Sequence, residues 1–182
     1  MKKHAFYLIL LALTGLWSCS GDSKTGQDKL EEEILALEGT LVEQMENPTI
    51  DTGSAVTLIE KVETYAERYP QDSITPYFLY RTADVARGIG QAEDAISMHN
   101  TIIREHRDFP KLPETMFFRA FIADNDLEDR DKAIMYYEAF IRAYPDHPLK
   151  TDAKALYDVL KSGKSPDQLI EEFQQQQRQS GE

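Results

Sequence analysis

Ala133-Ile134-Met135-Tyr136-Tyr137-Glu138-Ala139-Phe140-Ile141-Arg142-Ala143-Tyr144-Pro145 is the stretch that decides the fold. Tyr137 follows Ala133 by four residues and Phe140 follows Tyr137 by three, a spacing that puts all three on one face of a helix. Pro145 then stops the helix, because it brings no backbone N–H and disfavours helical geometry in the residue before it. Aromatic-proline pairs also stand at Tyr69-Pro70 and Phe109-Pro110, so the prolines are 40 and 35 residues apart. A second series, Pro76, Pro113 and Pro148, is placed to open helices, since proline is tolerated at a first helical position. Ala83, Ala120 and Ala155 each follow one of these prolines by seven residues. Recurrence at such an interval predicts stacked helical units.

Between residues 28 and 175 apolar residues recur at helical spacing, without sustained alternation. Leu30, Ile34, Leu37, Leu41 and Met45 form one stripe; Val56, Ile59, Val62, Ala66 and Tyr69 form the next. Further helices are expected at about 76–88, 92–107, 113–125, 130–143, 149–162 and 166–174. The last opens on Ser165-Pro166-Asp167-Gln168, a capping arrangement with proline at its first position.

On these residues the chain resembles the tetratricopeptide-repeat family. Ala133, Tyr137, Phe140 and Pro145 match its second helix, and Gly90-Gln91-Ala92-Glu93-Asp94-Ala95 looks like its inter-helix turn. Three departures stand out. His99 occupies an aromatic position, three extra residues precede Phe109-Pro110, and the 124–131 turn is a residue longer than usual. The resemblance implies an all-α fold of helical hairpins forming a short right-handed superhelix over 51–174, ahead of a polar tail at 175–182. The aromatic-proline endings and the alanine-rich helix after Pro148 are also similar to repeats of two bacterial envelope proteins. One is the lipoprotein subunit of the outer-membrane β-barrel assembly machinery; the other is the periplasmic coordinator associated with the Tol–Pal system.

The amino terminus reads as an address. Met1-Lys2-Lys3-His4 is basic and Ala5 to Trp17 is uncharged, too short for the roughly 20 residues a spanning helix needs. Leu16-Trp17-Ser18-Cys19 then resembles the lipobox of bacterial lipoproteins. That resemblance implies a signal peptide over 1–18, removed before a lipidated Cys19, and Ser20 after it implies the outer membrane rather than the inner. Residues 19–28 are expected to be a flexible linker. Residues 29–46 form an acidic amphipathic helix, expected to cap the repeats rather than to self-associate. Its Leu30, Ile34, Leu37 and Leu41 spacing is heptad-like but too short for a convincing coiled coil.

Composition narrows the function. The 182 residues are 41% hydrophobic and 29% charged, with a net charge of −12. Nucleic acid is therefore an unexpected partner, because its backbone is held by clustered Lys and Arg. One cysteine excludes an internal disulfide framework and any multi-cysteine zinc site. Asp124 to Asp131 fails as a calcium loop, having Asp129 where glycine is needed and Met135 where the closing Glu belongs. Gly88-Ile89-Gly90 lacks the rest of a phosphate loop. His106-Arg107-Asp108 echoes a kinase catalytic loop but has Pro113 where the Asn belongs. His99 and His106 are a poor metal pair without further ligands.

The expectation is a protein without catalysis, cofactor or metal that binds other envelope proteins. The repeat alignment puts Tyr77, Tyr80, Asp84 and Arg87 of one unit on a concave face. The next unit would add Glu114, Phe117, Phe121, Asp124 and Asn125. Tyr, Phe and Arg are enriched in interfaces. The competing reading makes Phe117 and Phe121 core residues.

Overall fold

A computed structural model describes residues 25–44 and 51–164, and seven further residues between 168 and 178. Residues 25–44 and 51–164 form seven α-helices, and no described residue is in a strand. These are α1 (Gly26–Gln44), α2 (Thr52–Arg68), α3 (Thr75–Gly88), α4 (Ala92–Glu105), α5 (Leu112–Asn125), α6 (Arg130–Ala143) and α7 (Lys150–Ser162). Each packs on the next in chain order. The expected signal peptide, Cys19 and the Ser165-Pro166-Asp167 cap lie outside the described residues.

The linker expected through residue 28 gives way to helix at Gly26. The cause is a capping box that the sequence carries in plain form. The Thr25 N–H donates to the Asp28 carboxylate at 2.9 Å, and the Asp28 N–H donates to Thr25 Oγ1 at 3.2 Å. Gln27 then reaches from α1 to the Tyr65 hydroxyl at 3.1 Å and to Asp72. The acidic helix does sit on its neighbour, with Ile34 and Leu41 buried beside α2. At the other end, Gln175, Gln177 and Arg178 are helical where a polar tail is expected.

Three helices share one buried pattern. Leu58, Val62 and Tyr65 of α2 are fully enclosed; so are Ala95, His99 and Ile102 of α4, and Ala133, Tyr137 and Phe140 of α6. Every set has the spacing of four and then three that opens the sequence argument. The α2 stripe is rotated by about one position from its expected centre, since Tyr65 is buried and Tyr69 only half-buried.

The same helices also end alike. The N–H groups of Tyr69, His106 and Tyr144 donate to the carbonyls of Tyr65, Ile102 and Phe140 at 2.8, 2.8 and 2.9 Å. Two hydrogen bonds then carry each chain into the next helix. They are Asp72 to Tyr69 and Thr75 to Asp72; Phe109 to His106 and Leu112 to Phe109; and His147 to Tyr144 and Lys150 to His147. The three connections are one turn used three times.

This turn corrects the sequence register. Tyr69 is matched by His106 and Tyr144, so Phe109 corresponds to Asp72 and His147. The three extra residues before Phe109-Pro110 disappear, because that pair belongs in the turn and not at the helix end. Pro148 likewise corresponds to Pro110, and α7 begins only at Lys150. Ala155 is consequently exposed, and Ala153 is the alanine with no accessible surface. Proline suits both a turn and a first helical position, so spacing could not separate these roles.

The two inter-helix turns differ in length as expected. After α3, Gly90 takes φ 83° and the Gln91 N–H returns to the Ala86 carbonyl. After α5, Glu128 takes the left-handed position at φ 51°, and the Asp129 N–H reaches one residue further back, to Ala123. Asp129 then caps α6 by accepting from the Lys132 N–H at 3.0 Å.

Candidate functional site

Helices α3 and α5 carry the side chains the sequence assigns to a binding face. Tyr77 is partly exposed and meets Phe109 edge-on, with ring centres 5.0 Å apart. Tyr80 is half-buried against Phe109 at 5.8 Å and His99 at 6.2 Å, and the Lys111 ammonium sits 5.8 Å from its ring centre. Burial pushes the Tyr80 hydroxyl up, and the Asp84 and Glu114 carboxylates push it further. Phe109, placed by the shared turn, is thus the common support of both tyrosines.

Asp84 and Arg87 follow one and two turns further along α3. Asp84 is exposed as a residue, yet protein atoms crowd its carboxyl and raise it above the ordinary aspartate range, with Arg87 opposing. The Arg87 guanidinium lies 5.1 Å from the centre of the Phe121 ring and binds both carboxylate oxygens of Asp126, Oδ1 at 3.3 Å. It joins α3 to the end of α5. Asn125 spends its amide locally, donating to the Phe121 carbonyl at 3.1 Å.

Two residues of the second unit face inward. Phe117 is only 7% exposed and packs against Phe118, Phe121, Tyr137 and Phe140, so it belongs to the core. Phe121 is half-buried beneath Arg87 and serves core and surface together. Asp124 is raised by burial and held back by the Tyr137 hydroxyl, which is itself pushed up by burial and by that carboxylate. One Glu114 carboxylate oxygen is buried without a hydrogen-bond partner among the described residues.

Sequence reasoning missed a polar seam behind this face. Arg119 donates to the Asn100 side-chain carbonyl at 2.9 Å and lies 3.9 Å from the Tyr136 ring centre. His99, enclosed where α2 has Val62 and α6 has Tyr137, is pushed down to about 4 by burial and then by Arg119. It also missed the pairing of Arg81 on α3 with Glu38 on α1, bidentate at 2.9 and 2.8 Å. Arg81 lies one turn beyond Tyr77, but its partner is chosen by helix placement, which no local spacing reveals.

Among the described residues no three His, Cys, Asp or Glu side chains are placed to hold a metal ion, and no helix is long and apolar enough to cross a membrane. No protein-family model matches the chain, and no curated protein matches it.

Proposed function

We propose that the protein is a non-catalytic protein–protein interaction scaffold of tetratricopeptide type, lipid-anchored through Cys19 in the bacterial outer membrane and serving outer-membrane protein assembly or envelope maintenance. The observation that carries this reading is the turn repeated at Tyr69–Thr75, His106–Leu112 and Tyr144–Lys150. A unit that recurs at a near-constant interval stacks on its neighbours, coils into a superhelix and presents one helix of each hairpin as an extended surface. On that surface Tyr77 and Arg87 are partly exposed aromatic and cationic groups held by Phe109, Phe121 and Asp126. Held side chains lose less freedom on binding, which favours them as anchors.

The reading as an oligomeric coordinator of wall synthesis or division asks α1 to self-associate. The packing of Ile34 and Leu41 inside the chain weighs against it. For the anchor, the support is Cys19 standing directly after an uncharged segment. A single acyl chain binds membranes marginally, and two or more hold firmly. Cys19→Ser is expected to abolish acyl labelling and to release the protein from membranes at high salt; a variant that stays bound would contradict the anchor. Affinity purification from detergent-solubilised membranes is expected to recover barrel-assembly subunits, whereas recovery of wall-synthesis enzymes would favour the coordinator.

A further inference from the structure

A second surface lies between α1 and α3. The two helices leave a groove of about 340 Å³ between them, at the small end of the roughly 300–1,000 Å³ that ligand pockets span. Leu41, Val42 and Val85 give it apolar walls, and Val42 is 64% exposed. An aliphatic side chain left that open on an ordered helix is a place where another apolar group gains by burial.

The charges around the groove say what kind of group. Arg81 and Glu38 border it and neutralise each other through their bidentate pair. Asp84 borders it too and has no ion-pair partner within 4.0 Å among the described residues, because the nearby Arg87 turns to Asp126. Burial raises its carboxyl, and Arg87 opposes that shift from outside ion-pair distance. An apolar trough with a carboxylate outside any ion pair at its margin attracts a cation carried next to an apolar group and repels an anion.

We infer that the α1–α3 groove binds a partner protein segment presenting a branched apolar side chain beside a lysine or arginine. This rests on the interaction-scaffold reading and supplies the partner chemistry that reading lacks. Val42 and Val85 would hold the apolar side chain, and Asp84 would hold the cation.

The test is methyl NMR of the full chain titrated with three blocked tripeptides: acetyl-Lys-Leu-Lys-amide, acetyl-Glu-Leu-Glu-amide and acetyl-Lys-Gly-Lys-amide. The Val42 and Val85 methyl signals are expected to shift with the first at a concentration about fivefold below the Glu-Leu-Glu control, as one surface ion pair allows, and also below the Lys-Gly-Lys control, which lacks the apolar side chain to bury. Asp84→Asn is expected to bring the first two peptides to within about twofold of each other. Equal binding of the Lys-Leu-Lys and Glu-Leu-Glu peptides by the unaltered chain would overturn the charge assignment, and no shift with any peptide would overturn the groove. Shifts of the same methyls on raising protein concentration alone would give the groove to a second copy, again against the proposal. None of these failures touches contacts made by Tyr77, which packs on Phe109 and lines no part of the groove, so the broader reading fails or survives separately.

Discussion

Arg87 of α3 and Phe121 of α5 form a stacked pair, guanidinium carbon to ring centre 5.1 Å, fixed on its outer side by Asp126. Removing the charge while keeping the length, in Arg87→Met, should lower stability by about 0.5–1 kcal/mol, the size of an exposed cation–π contact. The ion pair adds little because the Arg87 side chain is 36% exposed and screened by water. Urea midpoints of Arg87→Met, Phe121→Leu and the double variant measure the coupling. Strict additivity of the two single losses would deny the contact.

The corrected register of α7 makes a sharp comparison. Ala153 has no accessible surface and Ala155, two residues on, is exposed. Ala153→Leu should cost roughly 1–3 kcal/mol by overfilling a packed seam. Ala155→Leu should change stability by about zero, since both residues are good helix formers. The opposite order of urea midpoints would restore the register that Pro148 suggested.

Glu128 holds a left-handed backbone position at φ 51° that Gly90 fills in the corresponding turn. A side chain there costs about 1–2 kcal/mol relative to glycine. Glu128→Gly is therefore expected to raise the unfolding midpoint, less whatever the freer unfolded chain gives back. A lowered midpoint would show that the Glu128 side chain contributes more than its backbone costs.

His99 predicts a pH dependence with a definite sign. In the unfolded chain it takes up a proton near pH 6.5, and in the folded protein only near pH 4. Between those values the unfolded state binds more protons, so stability falls as pH drops through 6.5 and levels off near 4. The full difference is about 3 kcal/mol at 1.36 kcal/mol per unit. His99→Val copies the residue that α2 carries at Val62, and it should flatten this part of the profile. Glu63, Asp84 and Asp124 are raised in the folded protein and gain stability on acidification, so the contribution is read as the difference between the two proteins. Parallel profiles would mean that His99 titrates normally.

Much of the helical layout was legible because its signals are local. The Ala133, Tyr137, Phe140 spacing, the glycine at 90 and the punctuating prolines all act within a turn or two of chain. The errors came where one residue type serves two local roles. Pro110 and Pro148 look like helix punctuation in the sequence, and both sit within the connecting turn. Thr25 and Asp28 carried a readable cap that the polar composition around them concealed. The candidate face was legible as a set of positions but not as a set of roles. Phe117 and Phe121 are four residues apart on one helix, and only the packing of α6 and the reach of Arg87 separate core from surface. The pairs Arg81–Glu38 and Arg119–Asn100 depend on which helices become neighbours, which local spacing does not encode.

The central claim, that the exposed α3–α5 surface docks envelope proteins, is tested most directly by photocrosslinking in living cells. A crosslinking amino acid placed at Tyr77 or Arg87 should give discrete protein adducts, and the same group at Glu67 on α2 should give none. Adducts only from Glu67, or from no position, would contradict the account.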